Sequence, residues 1–258
     1  MSELKSTHPR IALVVGGRQG IGKTIANVLA KRGYTVIATS RAPVHDKDRD
    51  HCPYQLETLD VTDLDSVNRL VTKIALEYPY LNVLVNNAGI AGPTAPIDEI
   101  ADDEWEQVFR VNVQGVFRMC KSVLALMERS MKPRRIINIA SMTGKRPLYH
   151  RVPYAASKMA LIGLTRSLAL ELGSREITVN SVSPGYVEGS RIQAVIESQA
   201  RARGIDPAQV SESFLAQSPL HRFVSPDSVA HLVAFLASEE AEDITGADFG
   251  VTTGVWMD

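Results

Sequence analysis

Three side chains between Ser141 and Lys158, in the stretch SMTGKRPLYHRVPYAASK, have the types and spacing that hydride-transfer chemistry uses. If Pro153 opens a helix, Tyr154 and Lys158 stand at i and i+4, so a phenol and an ammonium share one helix face a turn apart. A free phenol titrates at about 10. A fixed positive charge beside it favours phenolate, which lets Tyr154 exchange a proton with an alcohol near neutral pH. Ser141, directly after an apolar run, supplies a hydroxyl to hold the substrate oxygen. A Tyr-x-x-x-Lys pair arises easily by chance in a chain with seven tyrosines, so the elements around it decide its meaning.

Those elements read as alternating strands and helices. Ile11 to Val15 is an apolar run fit for a buried strand, followed by GGRQGIG and the helical pattern Ile21 to Lys31. Gly16, Gly20 and Gly22 allow a tight turn and let a pyrophosphate approach the helix N-terminus, where free N–H groups favour an anion. The spacing, Gly-x-x-x-Gly-x-Gly, differs from the commoner dinucleotide fingerprint, and a plain βα turn is the competing reading. Thr35 to Thr39 is the second strand. No acid stands at its end to grip ribose hydroxyls; Ser40 and Arg41 follow instead, and with Arg18 they are suited to a 2′-phosphate, which favours NADP(H) over NAD(H).

Ala42 to Pro53 reads as loop, Gln55 to Leu59 as a third strand ending in Asp60-Val61, and a helix runs on to about Glu77. The fourth strand, Leu81 to Val85, meets Asn86-Asn87-Ala88-Gly89, small and amide-bearing residues suited to a flat cofactor. A long helix is expected from about Asp102 to Ser130, with Asn112 in its interior, where Asn needs a reason. Arg135 to Ala140 is the fifth strand, so Ser141 falls at its carboxyl end, where doubly wound sheets bind ligands. The helix Pro153 to Gly173, the strand Thr178 to Ser183 and the turn Pro184-Gly185-Tyr186-Val187 follow. Residues 188–217 are polar, Arg-bearing and helix-capable, and read as a substrate lid. Ser225-Pro226 starts a helix to about Ala237, before a last strand near Phe249 to Val251.

The pattern predicts an α/β chain with one Rossmann domain over residues 1–258, a doubly wound parallel sheet of about seven strands with helices on both faces. No linker or composition shift divides the 258 residues, and 45% hydrophobic content supplies ample core. With 28 basic and 29 acidic side chains there is no bulk attraction to nucleic acid or an anionic membrane, so neither is expected as a partner. The apolar runs are shorter than a membrane span and Met1 to Arg10 is polar, so a cytoplasmic protein is expected. Cys52 and Cys120 lack metal-ligand or Cys-x-x-Cys spacing; reduced thiols and no metal site are expected.

Taken together, Gly16-x3-Gly20-Ile21-Gly22, Asn86-Asn87-Ala88-Gly89, Asn112, Ser141, Tyr154-x3-Lys158 and Pro184-Gly185 resemble the short-chain dehydrogenase/reductases, from about Ile11 to the C-terminus. The resemblance implies a catalytic set of Asn112, Ser141, Tyr154 and Lys158. In it Tyr154 is the general acid/base, Lys158 lowers its pKa and binds the nicotinamide ribose, Ser141 positions the oxygen, and Asn112 holds a water linking Lys158 to solvent. It also implies a cofactor site. Gly16, Arg18, Gln19, Gly20 and Ile21 match the pyrophosphate loop, Ser40 and Arg41 the 2′-phosphate, Asp60 and Val61 the adenine, Asn87, Ala88 and Gly89 the ribose wall, and Pro184, Gly185 and Val187 the nicotinamide end. Relatives are commonly homotetramers pairing two long helices, here about 102–130 and 153–173.

Three positions depart from that pattern. Val15 replaces a Thr before the first Gly, with loss of a brace near Asn87 expected; Gly189 replaces a Thr near the carboxamide, for which Ser190 or a main-chain group could substitute; and Thr252-Thr253-Gly254 replaces Asp-Gly-Gly, a matter of packing. The reaction implied is hydride transfer between nicotinamide and a secondary alcohol or ketone. One substrate reading is a 3-oxoacyl thioester on an acidic carrier received by Arg129, Lys132 and Arg175, which read equally well as an ordinary solvated rim. The other is a small polar or anionic hydroxy compound (a sugar, polyol or hydroxy acid), suggested by Lys145, Arg146, His150 and Arg151 together with Arg191 in the lid. A non-catalytic cofactor-binding scaffold stands as the alternative from another class, opposed by the complete catalytic set. A sugar-nucleotide epimerase would need a larger C-terminal domain.

Overall fold

The computed structural model describes residues 9–45, 48, 52–131 and 133–257; the polar tail before Pro9, part of the 42–53 loop, and Lys132 lie outside the described residues. Strands β1 (Arg10–Val15), β2 (Tyr34–Ser40), β3 (Gln55–Thr58), β4 (Val83–Asn86), β5 (Arg135–Ile139), β6 (Thr178–Pro184) and β7 (Asp248–Val251) form one sheet in the order β3-β2-β1-β4-β5-β6-β7. Every pairing between these strands is parallel. The chain therefore reverses its direction of travel across the sheet between β1 and β4, and a crevice opens there beyond the strands' carboxyl ends.

Strand alternation explains why β1 is apolar throughout. Ile11, Leu13 and Val15 enter one core, with α2 (Leu64–Glu77) and two further helices; Ala12 and Val14 enter the other, with α1 (Gly20–Lys31). The first core also takes Val116, Met119 and Val123 from α4 (Gly115–Glu128) and Leu161, Ile162 and Leu172 from α6 (Val152–Leu172). Opposite, α9 (Pro226–Leu236) packs Val229 and Val233 beside Ile25 and Leu29 of α1. Helices thus cover both faces, as the run-and-turn pattern predicts.

The expected single helix from 102 to 130 is instead three segments. Helix α3 (Asp102–Phe109) and α4 flank a π-turn, Arg110–Gln114, that contains Asn112. One extra residue in the turn swings the Asn112 side chain toward the end of β4, where it accepts a hydrogen bond from Ile90 N–H (2.8 Å) and donates to Ile90 C=O (3.0 Å). A short helix not anticipated from sequence, α5 (Met142–Lys145), follows Ser141.

Residues 188–217 fold as two helices, α7 (Ser190–Arg203) and α8 (Pro207–Ala216), and carry a small core of their own. In it Tyr186 stacks on Phe214 at 4.1 Å between ring centroids, and Ile192, Ile196 and Val210 pack around them with Met142. Among the described residues no helix is long and apolar enough to cross a membrane. The Thr252 to Gly254 segment packs, as expected: a Cβ on Gly185 would lie 3.0 Å from Thr252 Cα, and Thr253 Oγ1 accepts from Ser218 Oγ.

Candidate active site

A cleft of about 910 Å³ runs along the carboxyl ends of β1, β4, β5 and β6. At one end the turn between β1 and α1 exposes Gly16, Arg18, Gln19, Gly20 and Ile21 to it. Gly16 is left-handed (φ 77°), its N–H donates to Thr39 Oγ1 (3.1 Å) and its carbonyl accepts from Asn87 Nδ2 (2.7 Å). Gln19 caps α1 without a side-chain hydrogen bond, and no acid stands in the first turn, so the N–H groups there are free for an anion. A Cβ on Gly22 would lie 2.1 Å from the Gly16 carbonyl oxygen and 2.4 Å from Asn87 Nδ2. This cradle, open on its outer side and braced behind, fits a pyrophosphate. Val15 offers no side-chain hydrogen bond to brace the turn, which is held by other bonds: Asn87 N–H donates to the Val15 carbonyl (3.1 Å), and its side chain donates to Gly16 C=O.

Gly22→Ala forces the backbone of the turn apart and breaks the Asn87–Gly16 bond; overpacking of this kind costs about 1–3 kcal/mol. The expected results are a lowered Tm and a weaker NADPH titration, whereas an unchanged titration would show that the turn does not hold the cofactor.

Further along the cleft, Ser40, Arg41, Asp60 and Val61 line one side, and Asn87, Ala88 and Gly89 the floor. Asp60 is a turn-former, its Oδ1 accepting from Thr62 N–H (2.8 Å) and Thr62 Oγ1 (2.7 Å). Arg18 is not the free cation that sequence suggested. Its guanidinium pairs with Asp48 at 3.0 Å and donates to Pro43 C=O (3.2 Å), so its charge is already met by a residue thirty positions away. Arg41 is exposed beside Ser40 with no carboxylate paired to it among the described residues.

At the other end, Ser141, Tyr154 and Lys158 face Pro184, Gly185 and Val187 across the cleft. Pro153 lies in the first turn of α6, as expected, and Tyr154 and Lys158 stand on one face with Nζ 5.7 Å from the phenol ring centroid. Lys158 Nζ donates to Ile139 C=O (2.8 Å), the last residue of β5. Ser141 caps α5, its Oγ accepting from Thr143 N–H (3.1 Å), which leaves the hydroxyl proton to donate outward. Burial pushes the Tyr154 phenol up, but Lys158, Arg191, a hydrogen bond from Ser141 and Arg151 together outweigh it and hold the group below its ordinary value. Lys158 is also held low, by its burial chiefly, with Arg191 adding to it and Tyr154 opposing.

Asn112 lies behind the cleft rather than in its wall. Besides clamping Ile90 it donates to Ser157 Oγ (3.0 Å), and the space at Gly89 is bounded by Asn112 Oδ1 and Lys158 Nζ. Sequence reasoning missed Ser157 and Thr39, which orient Asn112 and Gly16. Neither carried a signal, because each acts on a partner more than twenty residues away.

The basic stretch before Tyr154 splits. Lys145 turns away from the cleft to pair with Asp248 of β7 (2.7 Å) and to cover the Trp256 ring; Arg146 donates to Gln217 Oε1 (2.7 Å) on the outside; His150 stacks on Tyr149. Only Arg151 and Arg191 of that group line the cleft. Of the suggested basic rim, Arg129 is exposed, Arg175 pairs with Glu128 at 2.5 Å, and Lys132 lies outside the described residues.

The family model described as enoyl-(acyl carrier protein) reductase matches residues 15–255. The 3-oxoacyl-[acyl-carrier-protein] reductase FabG of Escherichia coli is 38% identical over 253 residues, covering 96% of this chain and 98% of the relative. Among solved structures, a variant of actinorhodin polyketide ketoreductase with NADPH superposes with a TM-score of 0.88 at 35% identity, covering 96% of this chain and 97% of that one. A ligand-free aldohexose dehydrogenase of Thermoplasma acidophilum gives 0.86 at 31% identity, covering 96% and 94%.

Proposed function

The chain belongs to the short-chain dehydrogenase/reductase family, and on that premise we propose that it interconverts a ketone and a secondary alcohol with NADP(H), the substrate having a 3-oxoacyl skeleton. It is a nicotinamide-dependent oxidoreductase of CH–OH groups. The observation that carries the reading is the convergence of Ser141, Tyr154 and Lys158 on one cleft with the glycine cradle. A nicotinamide bound there supplies or accepts the hydride. Tyr154 moves the proton at its phenol oxygen, Ser141 donates to the substrate oxygen, and Lys158 keeps the phenol acidic. Asn112 holds the segment after Gly89 through Ile90 and bonds Ser157, the residue before Lys158. Acid and base here act on an oxygen, so a carbonyl suits the site better than the carbon–carbon double bond named by the family model.

NADP(H) is preferred because β2 ends at Ser40 and is followed by Arg41 without an acid, and a relative at 35% identity is described with NADPH. Arg41→Ala is expected to weaken NADPH about tenfold, or about 1.4 kcal/mol, in a fluorescence titration while changing NADH little. Equal losses for both would refute the 2′-phosphate role. Helices α7 and α8 serve as a lid over the substrate end of a single domain. The exposed apolar side chains Trp105 and Phe117 of α3 and α4, and Met159 and Leu170 of α6, support a homotetramer built on those helices, which light scattering of the purified protein tests. Turnover of ketones, 3-oxoacyl thioesters and polyols with each cofactor tests the whole reading. Cofactor binding without turnover of any of them would favour the scaffold.

A further inference from the structure

We infer that Arg151 and Arg191 form an anion-binding end of the substrate cleft, so that the compound reacting at Tyr154 carries its own carboxylate. This rests on the oxidoreductase reading and adds to it the state of the acyl end, a free oxo acid or hydroxy acid in place of a thioester.

Arg151 is the residue immediately before α6, and its side chain is only 4% exposed, although it lines the cleft. Its guanidinium carbon lies 5.0 Å from the Tyr154 ring centroid. Nη1 donates to Thr94 Oγ1 (3.0 Å), and Nε is buried with no partner. No carboxylate pairs with it among the described residues, and burial pulls its pKa down, with Tyr154 opposing and Arg191 adding to the fall. A buried, uncompensated guanidinium is costly and is retained where a ligand completes it.

Arg191 approaches from the other wall. It sits in the first turn of α7 and donates to Gly89 C=O in the segment beyond β4, and its charge acts on Arg151, Tyr154 and Lys158. Two guanidiniums that repel each other across one cleft, with the proton-transfer phenol beside them, are neutralised by an anion lying between. Guanidinium forks match a carboxylate in two parallel hydrogen bonds. Leu148, Ile192 and Val195 of the same lining are apolar, which suits a short carbon chain, with Thr143, Glu188 and Ser190 as polar neighbours. The Arg151 guanidinium carbon, 5.0 Å from the Tyr154 ring centroid, sets the scale: at about 1.5 Å per bond, a carboxylate two or three bonds from the reacting carbon has the length to approach it while the carbonyl oxygen stays at Ser141 and Tyr154. A thioester in that place would leave the buried Arg151 guanidinium without an anion.

The test uses the full chain with NADPH and a set of 2-, 3- and 4-oxo acids, each beside its amide, with the N-acetylcysteamine thioester added for acetoacetate. The expected result is kcat/KM at least a hundredfold higher for the best acid than for its amide. That ratio falls below tenfold, mainly through KM, in Arg151→Gln and in Arg191→Gln but persists in Arg146→Gln, whose side chain bonds outside the cleft. Arg191 is exposed at the cleft edge, so its variant keeps the test open should Arg151→Gln fold poorly. Amide or thioester turned over as well as acid, or a ratio unchanged in the folded arginine variants, would overturn the anion site and leave the oxidoreductase reading standing. No NADPH oxidation with any compound would overturn both.

Discussion

Tyr154→Phe is expected to lower turnover by roughly 100- to 10,000-fold in both directions while NADPH still binds within a few-fold of the parent. The substitution removes one oxygen from the cleft wall and leaves the ring, the α6 helix and the glycine cradle in place. The sign of the pH dependence follows from which form of the phenol works. Reduction of a ketone needs the protonated phenol, so its rate falls as pH rises through the Tyr154 pKa; oxidation of an alcohol needs phenolate, so its rate rises through the same point. Because Lys158, Arg191, Ser141 and Arg151 outweigh burial and hold that pKa below the ordinary tyrosine value, both limbs should lie below it. In Tyr154→Phe the residual rates should lose these limbs altogether. A variant that keeps a tyrosine-like limb and more than a tenth of the parent rate would show that another group moves the proton.

Lys158→Met is expected to cost about a hundredfold or more in oxidation near neutral pH, with the limb displaced to higher pH. Lys158 is the largest of the influences that lower the Tyr154 pKa; once it is gone, burial, which acts in the opposite direction, gains ground. The phenolate fraction at a given pH therefore falls, and the oxidation profile should shift upward and recover part of its rate in alkali. Methionine preserves the volume of the chain, although the bond to the Ile139 carbonyl is lost. Loss of rate without displacement of the limb would mean that Lys158 acts through cofactor binding alone, which the NADPH titration of the same variant would register.

Much of this site was legible because its chemistry rests on short-range periodicity. Tyr154 and Lys158 share a face because four residues make about one helical turn, and the glycine turn opens α1 because a strand, a small-residue turn and a helix are consecutive in the chain. Ser141, Asn87 and Pro184 could be placed together because parallel strands deliver all their carboxyl ends to one edge. What could not be read was the partner of each long charged side chain. Sequence offers Arg18 to a 2′-phosphate and Lys145, Arg146 and Arg151 to the substrate, and Asp48, Asp248, Gln217 and Thr94 decide where each side chain goes.

The π-turn at Arg110–Gln114 belongs to the same class, since one added residue in a helix leaves the local pattern of apolar positions almost unchanged while re-aiming Asn112. Sequence by itself determined the sheet, the helix faces, the glycine turn and the shared face of Tyr154 and Lys158, because each follows from hydrophobic alternation, helical period or glycine at a turn. Tertiary structure alone decided which cations enter the cleft. A guanidinium or ammonium on a flexible stem goes where a carboxylate or carbonyl from a distant segment meets it, and Arg151 and Arg191, like Arg41 at the cofactor end, are not drawn away by a carboxylate among the described residues.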